Sequence, residues 1–185
     1  MKMNNIVKMR NTIPTKNFEF EKYLQIVNDL IYEKFPLLVW FIGGSIRFGY
    51  FNGGSDVDVL MRYFTDYKLE KDNSEYPKLS EIEEYLSSLG FERAGRKIPE
   101  PNIMSYPEEF IQYTRKADSV SKRPIQISLI SEYSFDKQFT ANVKVDEIIL
   151  NNPNIVSFIR KMKAHTTGKI SGSEIFHMLV NDYIY

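Results

Sequence analysis

Residues 37–63 constrain the fold most, because they carry two apolar runs separated by glycine turns. The first run, residues 37–42, is unbroken and lies between Pro36 and Gly43, which is typical of a short strand buried on both faces. Residues 56–61 instead alternate acidic and apolar side chains, as a strand with one buried face does. Two strands joined through glycine turns are therefore expected in this stretch.

The turn after the first strand has the features of a phosphate site. Gly43 and Gly44 carry no Cβ, so the backbone can approach a ligand closely. Ser45 is predicted to cap the short segment 46–50, which would leave its hydroxyl and nearby N–H groups free for an anion. Arg47 is a further candidate for a phosphate contact, and an exposed surface position is the alternative for it.

Asp56 and Asp58 are separated by one residue on the second predicted strand, so both carboxylates are expected on the same face. Two like charges about 4 Å apart repel by roughly 4 kcal/mol at an effective dielectric constant near 20. A partly buried pair therefore favours a proton or a divalent cation between the carboxylates. Mg²⁺ suits such a pair, because it binds carboxylate oxygens and completes its octahedron with water and substrate phosphates.

Gly43-Gly44-Ser45, ten intervening residues and Asp56-x-Asp58 together resemble the signature of the DNA polymerase beta-like nucleotidyltransferase superfamily. The resemblance implies that the glycine–serine turn holds the triphosphate of an NTP such as ATP. It also implies that Asp56 and Asp58 bind two Mg²⁺ or Mn²⁺ ions, which activate an attacking hydroxyl and stabilise the leaving pyrophosphate.

The resemblance and the order of elements predict an α+β chain with the nucleotidyltransferase fold. A mixed central sheet flanked by helices is expected, followed by a C-terminal helical pair. Residues 1–16 are predicted to form an extended N-terminal arm, residues 17–150 the catalytic domain and residues 151–185 a C-terminal helical extension.

Apolar periodicity and turn residues predict the other elements. Helices are expected over residues 17–35, 80–89, 154–165 and 173–183, with Ser80/Glu83 and Ser171/Glu174 as capping boxes. Strands are expected over residues 91–98, 110–116 and 124–131, the last two as an antiparallel hairpin. Residues 65–76 are predicted to be an exposed loop, and residues 139–150 fit either a strand or a helix.

The resemblance also implies a third carboxylate on the strand over residues 124–131, and none is found there. The polar face of that strand carries Gln126 and Ser128 instead. Neither side chain acts as a general base at neutral pH, and both bind Mg²⁺ more weakly than a carboxylate does. Three acids elsewhere are candidates for the missing group: Asp118, Glu132 and Asp146.

Composition excludes several classes of protein. The 185 residues carry zero formal net charge, so a globally basic nucleic-acid-binding protein is not expected. The absence of cysteine excludes disulfides, thiolate metal sites and a cysteine nucleophile. No apolar run approaches the length of a membrane span and no signal-peptide core is present, so a cytoplasmic protein without membrane contact is expected.

Basic residues form three local clusters that could contact a polyanion. The clusters are Arg93, Arg96 and Lys97; Arg115, Lys116, Lys122 and Arg123; and Arg160, Lys161, Lys163 and Lys169. Analogy with the family favours the third cluster as a contact for the triphosphate or for a nucleic-acid acceptor.

The resemblance implies a metal-dependent nucleotidyltransferase that moves a nucleoside monophosphate from an NTP to an acceptor hydroxyl and releases pyrophosphate. RNA, protein and small molecules are all open as acceptors, and the sequence predicts no oligomeric state. Because the third carboxylate is missing, the alternative is a degenerate nucleotidyltransferase that binds a nucleotide or a protein partner without catalysis. A third hypothesis is an interaction module that uses the fold only as a scaffold.

Overall fold

The computed structural model describes residues 3–72, 74–97, 110–165, 175–176 and 178–179. Its elements follow one another as α1 (Asn5–Arg10), α2 (Phe18–Ile31), β1 (Trp40–Ile42), α3 (Gly44–Phe48), β2 (Val57–Tyr63), α4 (Asp66–Lys71), α5 (Leu79–Ser88), β3 (Glu92–Lys97), β4 (Phe110–Arg115), β5 (Ile125–Ser131), α6 (Glu132–Asn151) and α7 (Ile155–His165).

The five strands form one mixed sheet in the order β1-β2-β5-β4-β3. β2 and β5 are parallel and lie at the centre, while the other neighbouring pairs are antiparallel. The predicted α+β fold with a mixed sheet flanked by helices is therefore confirmed, as is the predicted hairpin of β4 and β5. α7 agrees with the predicted helix 154–165, whereas most of the predicted helix 173–183 and its Ser171/Glu174 capping box lie outside the described residues.

Alternation along β2 decides which face of the sheet carries polar groups. Val57, Val59 and Met61 are buried in a core that also contains the apolar face of α2. Asp58 points to the opposite face, because side chains alternate along a strand. This opposite face packs against α6 and α3, and it is here that a polar site can form.

Residues 5–10 form helix α1, so the predicted extended conformation was wrong for this part of the N-terminal arm. Asn4 caps α1 by accepting a hydrogen bond from the Val7 backbone N–H through its Oδ1 atom. Val7 is buried and anchors the helix to the main core. Asn11 then binds the outer edge of β1, donating to the Trp40 carbonyl and accepting from the Ile42 N–H.

Two other predictions of local structure were wrong. Residues 66–71 form α4 within the predicted loop, because Thr65 caps the helix at the Lys68 N–H. The helix predicted from Ser80 begins at Leu79, and Glu81 rather than Glu83 accepts from the N-cap backbone, at Lys78.

Several boundaries differ from their predictions, and one ambiguity is resolved. α2 ends at Ile31 rather than at residue 35, and β1 is limited to Trp40–Ile42. Residues 139–150, which fitted either a strand or a helix, lie within the single helix α6. Among the described residues, none of the helices has the length and apolar character that crossing a membrane requires.

Candidate active site

The glycine bend after β1 lies directly against Asp58. The Gly43 N–H donates to the Asp58 carbonyl at 2.9 Å, which joins the bend to β2. Gly44 has a φ of +64°, and a Cβ placed on it would be only 2.0 Å from Asp58 Oδ2. Glycine is therefore favoured at this position both by the backbone conformation and by the proximity of the carboxylate.

Asp56 and Asp58 interact electrostatically at the beginning of β2. Asp58 is the second residue of β2, and Asp56 directly precedes the strand. Burial raises the pKa of Asp58 to about 7, and the charge of Asp56 adds to this effect. The pair therefore carries negative charge that the surrounding protein compensates only in part.

Lys163 of α7 supplies a positive charge to the pair. Its ammonium favours the ionised form of Asp58, and both aspartates favour the charged form of the lysine. Burial outweighs these charges and lowers the pKa of Lys163 below its usual value. Within the third basic cluster, Lys163 thus interacts with the carboxylates, whereas Lys169 lies outside the described residues.

Ser45 does not cap a helix, so that prediction was wrong. α3 begins at Gly44, two residues before the predicted segment 46–50, with Gly43 as its N-cap residue. Ser45 lies in the first turn of α3 and is buried. It directly follows the bend. A role of its hydroxyl in phosphate binding stays a prediction.

The structure places Arg47 in the interior, which contradicts the surface position and argues against the predicted phosphate contact. The side chain is 1% exposed and forms an ion pair with Asp146 at 2.7 Å. Its Nη1 atom donates to the carbonyls of Arg10 and Ile42. Arg47 therefore joins α1, α3 and α6, and a ligand could bind it only by disrupting these contacts.

Gln126 occupies the position on β5 beside the carboxylate pair. The parallel register of β2 and β5 places Asp58 opposite Gln126 and Leu60 opposite Ser128. The strand that the resemblance expects to carry a third carboxylate therefore presents an amide next to Asp58.

Each of the three candidate acids has partners other than the aspartate pair. Asp118 accepts hydrogen bonds from the Val120 and Ser121 N–H groups of its own turn, which hold its pKa below the usual value together with Arg115. Glu132 directly follows β5 and pairs with Lys68; the end of this strand, Ser131, lies about 17 Å from Gln126 at a rise of about 3.3 Å per residue. Asp146 is paired with Arg47. In the part of the chain that the structure describes, no group of three acidic, histidine or cysteine side chains could hold a metal ion.

The donor set fits one divalent cation better than two. Asp56 and Asp58 present hard oxygen ligands and excess negative charge, which suits Mg²⁺ or Mn²⁺. A second cation would find the amide of Gln126 rather than a carboxylate on β5. Any further ligands of a bound cation would come from water and from the phosphates of a nucleotide.

Tyr50 was missed by the sequence analysis. It is completely buried, and its hydroxyl has no hydrogen-bond partner among the described residues. Burial and the nearby Asp58 charge raise its pKa, and Lys163 Nζ lies 5.6 Å from its ring centroid. An aromatic residue after a glycine indicates only a core position, so no sequence signal identified Tyr50.

Comparison with solved structures identifies the fold. The structure of the Cid1 poly(U) polymerase bound to MgGTP aligns with a TM-score of 0.52 and 14% identity, over 84% of this chain and 45% of that one. The GLD-2/RNP-8 complex aligns with a TM-score of 0.50 and 16% identity, over 97% of this chain and 62% of that one. A cytoplasmic RNA terminal U-transferase aligns with a TM-score of 0.50 and 14% identity, over 84% of this chain and 43% of that one.

These likenesses show that the chain has the nucleotidyltransferase fold. The chain spans less than two thirds of the length of each of these three structures. No protein-family model and no curated protein sequence matches it.

Proposed function

We propose that this nucleotidyltransferase-fold chain is a metal-dependent nucleotidyltransferase, which moves a nucleoside monophosphate from an NTP to an acceptor hydroxyl and releases pyrophosphate. The observation that carries the proposal is the position of Gly44, which leaves no space for a Cβ between the bend and Asp58 Oδ2. Such an arrangement allows one ligand to contact the backbone of the bend and the carboxylate of the strand at the same time.

Each residue of the site has a proposed role. Gly44 and Ser45 hold the β- and γ-phosphates through their backbone N–H groups and the serine hydroxyl, and Gly43, whose N–H is bonded to the Asp58 carbonyl, shapes the bend around them. Asp56 and Asp58 would hold a divalent cation, which when bound neutralises phosphate charge and favours ionisation of the acceptor hydroxyl. Lys163 adds a positive charge at the same place, which favours binding of the triphosphate.

In the proposed reaction the acceptor oxygen forms a bond to the α-phosphorus and its proton passes to solvent. The bond between the α-phosphorus and the oxygen that bridges it to the β-phosphorus breaks, and pyrophosphate leaves with the electron pair. The role of the chain is to align the phosphates with the acceptor and to offset the charge that develops on the leaving group.

Two of the three structural neighbours, a poly(U) polymerase and an RNA terminal U-transferase, favour the 3′-hydroxyl of RNA as the acceptor. The test is incubation of the chain with a labelled oligoribonucleotide, each of the four NTPs in turn, and Mg²⁺ or Mn²⁺. Extended products on a gel are expected, and an oligonucleotide ending in a 3′-deoxynucleotide should give none. Failure to extend any oligoribonucleotide would remove RNA as the acceptor and leave protein and small molecules to be tested.

A cytoplasmic location stays a prediction.

Gln126 favours a second candidate function, in which the site binds a nucleotide without catalysis. An amide beside Asp58 can hydrogen-bond to a ligand but cannot accept a proton as a carboxylate does. Calorimetry with an NTP and Mg²⁺ separates the two functions. Heat of binding without release of pyrophosphate over many hours would support the non-catalytic function.

Introducing an acid at position 126 is expected to increase transfer. In Gln126→Asp the new carboxylate lies beside Asp58 in register, where it can accept a proton or bind a cation, so we expect kcat to rise by at least about tenfold. Ser128→Asp is the matched control, because it adds an acid on the same face two residues further along β5, opposite Leu60. Equal rates for the two variants would show that position 126 has no special relation to the reaction.

Gly44→Ala is expected to impair ligand binding more than folding. A positive φ costs an alanine about 1–2 kcal/mol, whereas the added methyl group also displaces the carboxylate end of Asp58. Gly90→Ala is the matched control, because Gly90 has a φ of +80° with no atom within 4 Å of a built Cβ.

Both variants should lose similar unfolding free energy in urea. Only Gly44→Ala should weaken binding of Mn²⁺ or of an NTP, by about tenfold or more, as disturbance of the groups around a metal site commonly does. Unchanged ligand affinity in Gly44→Ala would place the ligand away from the bend.

A further inference from the structure

The turn of residues 52–55 delivers Asp56 to the site, and it is held by its own polar groups. The Ser55 N–H donates to the Asn52 carbonyl, and the Ser55 hydroxyl accepts from the Asn52 N–H. The Asn52 side chain accepts from the Gly54 N–H. Gly53 and Gly54 are exposed whereas Ser55 is buried, so the turn faces solvent at its tip and the protein at its base.

Arg123, in the connection between β4 and β5, binds this turn from outside. Its Nη1 atom donates to the Asn52 carbonyl at 2.5 Å and to the Ser55 carbonyl at 3.0 Å. The guanidinium carbon lies 5.1 Å from the centroid of the Phe51 ring, and Nε is 3.5 Å from Glu19 Oε2 of α2. The side chain is only 14% exposed, so these contacts hold it in one place.

Asp56 consequently lies between two peptide groups, one hydrogen-bonded to the Arg123 side chain and the other to the Pro124 carbonyl. The carbonyl of Ser55, on one side, accepts from Arg123. The N–H of Val57, on the other side, donates to the Pro124 carbonyl at 2.9 Å. Asp56 itself directly precedes β2, so its backbone is held on one side by the first hydrogen bond between β2 and β5 and on the other side by Arg123.

We infer that Arg123 is a positioning residue, which fixes the 52–55 turn and thereby presents the Asp56 carboxylate to the cation beside Asp58. The inference rests on the proposed function in so far as Asp56 binds a cation. Arginine suits the role because its planar guanidinium can donate to two carbonyls, face a carboxylate and stack on an aromatic ring together.

A purely electrostatic role of Arg123 would have the opposite effect on cation binding. Removal of a positive charge near the site strengthens binding of Mn²⁺ if charge is the only effect. Removal of a positioning residue weakens it, because the Asp56 carboxylate is no longer held in place. The sign of the change in affinity therefore separates the two roles.

The test compares Arg123→Met with Arg115→Met in the full chain. Arg115 is the matched control: it lies at the other end of the same connection, is 13% exposed, pairs with Asp118 and has its guanidinium carbon 5.4 Å from the centroid of the Phe91 ring. Binding of Mn²⁺ is measured by electron paramagnetic resonance, and amide hydrogen exchange of peptides covering residues 49–61 by mass spectrometry. Thermal unfolding checks that both variants are folded.

We expect Arg123→Met to weaken Mn²⁺ binding about tenfold and to accelerate amide exchange in the 52–55 turn and at Val57. Arg115→Met should change neither, at a similar loss of thermal stability. Unchanged or tighter Mn²⁺ binding in Arg123→Met would overturn the inference while leaving the proposed function intact. Asp56→Asn is measured alongside: if it binds Mn²⁺ as well as the wild type does, the proposed cation site is wrong. In that event, amide exchange decides whether Arg123 still fixes the turn.

Discussion

Asp58→Asn is expected to reduce nucleotidyl transfer about a thousandfold, the upper part of the range seen when a group that stabilises transition-state charge is removed. Asparagine has nearly the same shape as aspartate, so it fits beside Gly44 where the carboxylate lay. It cannot offer a second anionic ligand to a cation, and the remaining Asp56 would bind the cation weakly. The measurement is single-turnover transfer of a labelled nucleotide at saturating NTP and Mn²⁺.

Asp136→Asn is the matched control for this loss of activity. Asp136 lies on α6 with its side chain 56% exposed, and its ion pair with Arg10 spans 2.9 Å. Its replacement removes the same charge, yet it should leave transfer within about twofold of the wild type, as surface ion pairs contribute little. Equal activity of wild type and Asp58→Asn would remove the catalytic proposal.

Asp58→Asn should not destabilise the protein in the absence of a divalent cation. The folded-state pKa of Asp58 is raised to about 7, whereas an unfolded aspartate titrates near 3.9. The wild type therefore loses stability as the pH rises through this interval, because the carboxyl ionises more readily in the unfolded chain. Asp58→Asn lacks this loss, so in EDTA its stability should exceed that of the wild type increasingly between about pH 4 and pH 7. Urea unfolding at several pH values measures the difference.

The pattern of residues 37–63 predicted the centre of the candidate site, because the residues that form it are close together in the sequence. The buried strand, the glycine bend and the alternating aspartates lie within a short stretch, and strand periodicity alone places Asp58 on the polar face. Their proximity in space follows from the antiparallel pairing of β1 and β2. Gly43 and Gly44 therefore meet Asp58 as the sequence order suggested.

Residues whose partners are distant in sequence could not be placed in the same way. Arg47 was interpreted as a surface or phosphate-binding residue, because nothing near it in sequence shows that Asp146 on α6 neutralises it. Lys163 belonged to the basic cluster that analogy with the family favoured, but only the position of α7 shows that its ammonium interacts with the aspartates. Arg123 likewise gave no signal, since the carbonyls that it binds belong to the 52–55 turn.

Short helices at the edges of the fold were missed for a related reason. α1 and α4 each have six residues, too few for apolar periodicity to be recognised, and helices this short are not stable in isolation. Each forms because one side chain caps it and one apolar residue anchors it: Asn4 and Val7 in α1, Thr65 and Leu69 in α4. Such anchoring depends on the rest of the core, which the local sequence does not reveal.

Removal of Arg47 is expected to destabilise the fold by about 3–5 kcal/mol, because it leaves the Asp146 carboxylate buried without a partner. Asp146 is only 7% exposed, and its pKa is already raised by burial although the Arg47 charge opposes the shift. In Arg47→Met the methionine retains much of the volume, so the loss reports on charge and hydrogen bonds rather than on a cavity. Urea unfolding monitored by circular dichroism measures it.

Two further measurements identify the cause of that loss. The double variant Arg47→Met/Asp146→Leu should regain most of the lost stability, because a buried ion pair can be replaced by apolar side chains of similar size with little net cost. The defect of the single variant should also shrink as the pH falls. Without Arg47 the folded-state pKa of Asp146 rises further above the ordinary value, so stability is lost as the pH rises towards that raised pKa and regained below it. A defect that is independent of pH, together with a double variant as unstable as the single one, would instead assign the role of Arg47 to its hydrogen bonds with the carbonyls of Arg10 and Ile42.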